Sequence, residues 1–120
     1  MIDTEKLMRH AAGDEGVARE VLALFREHAP GWVGEVEAAA TLGDLRAAAH
    51  RIKGAARGIG ADGLGDVAMA IEGAAAFEDC ADDRARLTSE AAAVLARIEL
   101  LLASAAPLGP KPERVRFGPL

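Results

Sequence analysis

Residues 44–60 read DLRAAAHRIKGAARGIG, and the spacing within them decides the fold. With Leu45 at zero and about 100° added per residue, Leu45, Ala49, Ile52, Ala56 and Ile59 fall within roughly 80° of one another. Arg46, His50, Lys53, Gly54 and Arg57 fall on the other side of the cylinder. One face is apolar and built of small side chains, the other is basic, and Asp44 stands where an N-cap is expected. The stretch reads as an amphipathic helix closed by Gly58-Ile59-Gly60.

The same period extends outward in both directions. Upstream, Asp3 or Thr4 is expected to cap a short helix that carries Leu7 and Met8 and ends at Gly13. Asp14 caps a second helix with Val17, Val21, Leu22, Phe25 and Ala29 at helical spacing. Pro30-Gly31 is expected to kink it, or to open a fresh helix with Pro30 in its first turn. Trp32, Val33, Val36 and Ala40 continue the apolar stripe until Thr41, Leu42 and Gly43 close it. Downstream, Asp62 is expected to cap a helix with Leu64, Val67, Ala68, Ile71 and Ala75 facing inward. Gly65, Met69, Glu72 and Ala76 form a neighbouring, more exposed strip of it. Leu87, Ala91, Val94, Ile98, Leu101 and Ala105 then step by fours and threes, the spacing of a bundle seam. The expected architecture is all-α: an antiparallel four-helix bundle with a short N-terminal helix over residues 1–105. Pro107, Gly109, Pro110, Pro112 and Pro119 make residues 106–120 a Pro-rich tail or linker.

Composition agrees and narrows the function. At 120 residues the chain is one domain with no room for a separate nucleotide-binding unit. Its 28 alanines favour helix, while Tyr is absent and Trp occurs once. A net charge of −5 argues against nucleic acid and anionic membrane as partners. The single cysteine, Cys80, cannot form an internal disulfide or a Cys-based zinc site. With no signal-peptide pattern and no long apolar run, the expected compartment is the cytoplasm.

Among the three histidines, His10 reads as a surface residue, and His28 as a cation near a helix end. They are too far apart for a shared metal site. His50 differs in its surroundings. Lys53 is one turn on and Arg57 two turns on, both within roughly 60° of His50 on the helix. Gly54 sits mid-helix, at a cost of about 1 kcal/mol against alanine. Clearance for a bulky anion such as a phosphoryl group beside the imidazole would explain it, with Lys53 as the attracting charge. A solvated basic strip with an incidental glycine explains it equally.

Ala49-His50-Arg51-Ile52-Lys53-Gly54, followed by Ile59-Gly60-Ala61 and Leu64, resembles the histidine-phosphotransfer (HPt) signature His-x-Leu-Lys-Gly…Gly-x-x-x-Leu. Ile71-Glu72 falls where that family often places Leu-Glu, and the resemblance takes in most of residues 1–105. It implies that His50 is a phosphoacceptor, that Lys53 lies beside the phosphoryl oxygens, and that Gly54 gives a partner room. It also implies that Glu72 holds the other imidazole nitrogen. Arg46, Arg57, Gly65, Met69 and Ala76 are the expected partner-facing residues. The implied partners are receiver domains of response regulators or hybrid histidine kinases, and the implied chain is a monomeric phosphoryl carrier rather than a nucleotide-using enzyme. It would hold no metal or cofactor of its own, with Mg2+ expected only on the receiver. Ala55, Ala56, Arg57 and Gly58 depart from the small polar residues that often follow Lys-Gly. An acceptor domain of a chemotaxis-type kinase and an unmodified helical adaptor are the alternatives.

Overall fold

Helices begin where a side chain can take an otherwise unpaired backbone N–H. In the computed structural model, which describes residues 1–109, Asp3 accepts from the Lys6 N–H at 3.1 Å and starts α1, Thr4–His10. Asp14 accepts from Val17 at 3.0 Å and starts α2, Glu15–Ala38. α3, Leu42–Gly58, begins earlier than expected. Its cap is Thr41, extended at φ −127°, whose hydroxyl takes the Asp44 N–H at 3.1 Å. Asp44 therefore lies inside the first turn, where its charge suits the positive end of the helix dipole. Asp62 is likewise the first residue of α4, Asp62–Glu72, rather than its cap, and its carboxylate pairs with Lys6 Nζ at 2.7 Å. A 3₁₀ turn, Phe77–Cys80, leads into α5, Ala81–Ala103. Among the described residues there is no strand, and no helix is long and apolar enough to cross a membrane.

α2 runs through Pro30 without a break, so the fresh helix does not form. Pro30 faces solvent, while Leu22, Phe25, Ala29 and Val36 on either side of it are buried. Burial of large side chains at about 1.5–3 kcal/mol each outweighs the roughly 3 kcal/mol that an interior proline costs. His28 consequently lies mid-helix, stacked on Trp32 at 5.8 Å between ring centroids, and not at a helix end.

Among the four longer helices, α2 and α4 both pack against α3 and α5. The expected stripes supply the core, with Leu22, Leu45, Ala49, Ile52, Ala56, Leu64, Ala68, Ile71, Leu87 and Ile98 all buried. Val17, in the first turn of α2, and Ala40, past the end of α2, are exposed, and two further expected core positions fail because their helices stop first. Ala75 lies past the end of α4 and Ala105 past the end of α5, and both are exposed. The expected boundary after residue 105 falls inside a packed segment: Leu108 is buried, and its N–H is held by the Glu15 carboxylate at 3.1 Å. The rest of the expected tail, 110–120, lies outside the described residues.

Two arginines tie α2 and α5 together end to end, and so fix them as antiparallel. Neither helix has a basic residue in its own last turn. Arg84, near the start of α5, donates to the carbonyls of Val36, Glu37 and Ala39 at the end of α2, and lies over the Phe77 ring. Arg19, near the start of α2, donates to the carbonyls of Leu101 at the end of α5 and Ala106 just beyond it. Each meets the negative end of the opposite helix dipole.

The α3–α4 turn depends on Gly60, at φ +80°. A side chain there would meet two penalties: the left-handed conformation, and a clash with the Asp3 backbone, whose N–H donates to the Gly60 carbonyl at 2.9 Å. Gly60→Ala should therefore destabilise the protein by at least about 1–3 kcal/mol. Gly43→Ala, where nothing lies within 4 Å of the added carbon, should be neutral or stabilising by up to about 1 kcal/mol. Denaturant unfolding of the two variants side by side checks this, and equal midpoints would show that the turn is not constrained at Gly60.

Candidate functional site

His50 and Lys53 stand one turn apart on α3, and Glu72 is the last residue of α4. The tight turn at Gly60 folds the two helices back on one another, and the side chains meet. The Glu72 carboxylate bridges them: Oε2 lies 2.6 Å from His50 Nδ1, and Oε1 lies 2.6 Å from Lys53 Nζ. The Lys53 contact is a close ion pair approached at an angle outside hydrogen-bond geometry, so Oε1 is buried without a well-directed hydrogen bond. Lys53 and Glu72 are largely covered, whereas the His50 side chain is 67% exposed.

The charges decide the proton positions. The Lys53 ammonium, ahead of the His50 hydrogen bond and charge, holds the Glu72 carboxyl below its ordinary value of 4.5, against the opposing pull of desolvation. Glu72 is thus an ionised acceptor at neutral pH, and the matching partner is a donating Nδ1–H. That assignment leaves Nε2 of neutral His50 with its lone pair, on an exposed ring. Gly54 lies exposed one turn on, and no atom stands within 4 Å of where its Cβ would be. The arrangement is an oriented imidazole with open approach, which is what a nitrogen nucleophile needs.

The remaining expected residues divide. Arg57 reaches across to α4, where Nη2 contacts Met69 Sδ at 3.3 Å and Asp66 Oδ1 at 3.5 Å. It crosses Gly65, where an added Cβ would come within 3.0 Å of Arg57 Cγ. Gly65 is therefore buried under Arg57 instead of lying in an exposed strip, while Met69 is half exposed. Ala76 leaves the group altogether: α4 ends at Glu72, and Ala76 is extended, before the 3₁₀ turn. Arg46 is exposed but is also engaged within the chain, its Nη2 donating to the Ala74 carbonyl.

Three features have no signal in the sequence. Arg51, next to His50, pairs with Glu35 of α2 at 2.7 Å. His10 donates from Nδ1 to the Gly58 carbonyl at 2.9 Å, closing the end of α3. An apolar groove of about 240 Å³ opens beyond Gly54, between Leu24, Phe25 and Trp32 of α2 and Ala55 and Gly58 of α3. All three are pairings between distant segments.

This site and fold coincide with a known class. Residues 20–106 match the model of the Hpt domain, and the chain belongs to that family of phosphocarrier domains of two-component phosphorelays. Its structure is similar to that of the HPT domain from the Hpt sensor hybrid histidine kinase of Shewanella. The TM-score is 0.79 at 18% identity, over 88% of this chain and 97% of that one. No match to a curated protein was found.

The lowered Glu72 pKa has a signed consequence. The stability it contributes is complete above about pH 4.5 and is lost as pH falls through its lower folded value. Glu72→Gln should remove that part of the acid slope and leave the neutral-to-alkaline profile parallel to wild type. Unfolding free energies at several pH values test this, and an unchanged acid slope in the variant would sink it. Gly54→Ala, in open space on a helix face, should stabilise by about 0.5–1 kcal/mol in the same assay.

Proposed function

We propose that this chain accepts a phosphoryl group on His50 Nε2 from the aspartyl phosphate of one receiver domain and passes it to the aspartate of another. The observation that carries this reading is the Glu72 carboxylate held between His50 Nδ1 and Lys53, with Nε2 left outward. An antiparallel four-helix bundle is the platform that keeps α3 and α4 in this register.

The step balances without a base from this chain. Nε2 carries no proton, so its lone pair attacks phosphorus directly as the bond from phosphorus to the aspartyl oxygen breaks. The receiver's carboxylate leaves as an anion, helped by the Mg2+ assigned to that partner. The imidazole ring becomes cationic, and Glu72, already against Nδ1–H, offsets that charge as it forms. The reverse sequence returns the group to an aspartate. Lys53 lies against Glu72 in the unphosphorylated protein, one turn from the nucleophile. From there it keeps Glu72 ionised and contributes positive charge beside the arriving phosphoryl oxygens. Gly54 supplies clearance, and Arg57 with Met69 offers the partner a preformed surface on α4.

Single-turnover transfer from a panel of phosphorylated receivers tests this. His50→Gln should abolish acid-labile, base-stable phosphate on the chain without unfolding it, since the side chain is exposed and its loss opens no cavity. Persistence of that phosphate would place the acceptor elsewhere. Lys53→Ala should slow maximal transfer about 5- to 30-fold, equivalent to roughly 1–2 kcal/mol at a site screened until the partner covers it. A normal maximal rate with weakened half-saturation would instead make Lys53 a docking residue.

A further inference from the structure

The placement of Glu72 is a local problem, because a helix end frays unless something holds it. α4 lacks the usual devices. Its C-cap, Gly73, has φ −89°, so the left-handed glycine cap is absent, and no basic residue occupies its last turn. Only two backbone bonds close it, Gly73 N–H to the Met69 carbonyl at 3.0 Å and Ala74 N–H to the Ile71 carbonyl at 3.1 Å. Glu72 itself opposes the dipole, since its negative charge sits at the negative end of the helix.

The missing positive charge comes from α3. Arg46, His50 and Lys53 lie on one face at spacings of four and three, and all three reach residues 72–74. Lys53 and His50 hold the Glu72 carboxylate. Arg46 holds the chain two residues on, donating from Nη2 to the Ala74 carbonyl. It is the contact of this set that grips backbone beyond the helix end, and so the one that restrains where the last turn stops.

We infer that Arg46 is a positioning residue for the phosphoacceptor: by tethering the Ala74 carbonyl it keeps Glu72 within reach of His50 Nδ1, and thereby fixes which ring nitrogen carries the proton. The inference rests on His50 being the acceptor, and it replaces the role of Arg46 as a partner contact. A guanidinium suits the task, with a planar set of donors that stay charged at any working pH. With Arg46 removed, the end of α4 is free to fray, Glu72 leaves Nδ1 part of the time, and the Nε2–H tautomer, which has no lone pair to attack with, becomes populated.

The test uses the unphosphorylated full chain. Two-bond proton–nitrogen NMR correlations of His50 at alkaline pH report the tautomer directly, with Glu72→Gln marking the spectrum without the carboxylate. Arg46→Met should move the His50 signals most of the way toward that spectrum. It should also lower maximal transfer about 2- to 10-fold, the range of one net hydrogen bond, with half-saturation for the receiver unchanged. Arg46→Lys keeps one charged donor and should recover part of both effects, and it serves as the working variant should the methionine protein not fold. A wild-type tautomer in these variants, whether transfer is normal or half-saturation rises, overturns the inference; raised half-saturation returns Arg46 to the partner interface. Phosphate persisting on His50→Gln would overturn the acceptor assignment instead, while the tautomer result would stand on its own.

Discussion

The close return of α4 along α3 is the constraint on which the site depends, and it is enforced by backbone. Gly60 adopts a conformation that other residues reach only with strain, and the Asp3 carbonyl occupies the space a side chain would need. With the turn locked, α3 and α4 can meet in only one register. Alanines at 49, 56 and 68, fully buried, let the two axes approach closely. Close approach is what allows a carboxylate as short as that of Glu72 to touch both an imidazole and an ammonium on the neighbouring helix. The orientation of the His50 imidazole thus follows from steric facts about three turns away.

Electrostatic compensation between helices recurs throughout the molecule. α2 and α5 lack cations in their last turns, and each receives an arginine from the first turns of the other. α4 lacks one as well, and receives a basic face from α3. α3, which has Arg57 in its last turn, is closed further by His10 from α1. The basic residues around His50 are accordingly engaged within the chain: Arg46 with a carbonyl, Arg51 with Glu35, Lys53 with Glu72, and Arg57 with Asp66 and Met69. An overall charge of −5 hides this arrangement, in which four of the 14 lysines and arginines stand on one helix, α3.

Much of this was legible in the sequence where the signal is periodic. Leu45, Ala49, Ile52 and Ala56 declare a buried face by spacing alone, and His50, Lys53 and Gly54 share the opposite face for the same reason. Spacing places Glu72 only on the exposed strip of its helix, and its role beside the imidazole is legible through resemblance to the family. Where expectation failed, a nonlocal or competing term decided. Thr41 and Asp44 are both good caps three residues apart, and the choice between them rests on which backbone turns first. Pro30 is a helix breaker by local rule, overridden by burial on both sides of it. Ala75 and Ala76 continue a period that the chain abandons at Gly73. Arg46 and Arg57 find partners 28 and 12 residues away, which no local pattern encodes.

The packing of Leu108 has a consequence for how such a domain is wired. Leu108 is held by Glu15, and Gly109 lies against the Met8 side chain, so the two ends of the described residues share one corner. Glu35, whose partner Arg51 is the neighbour of His50, lies 20 residues further along the unbroken α2. At 1.5 Å per residue that is about 30 Å of helix. Both ends of the described residues therefore lie toward the Gly60 end of α3 and away from the His50 imidazole. The face that carries His50 is left clear of both.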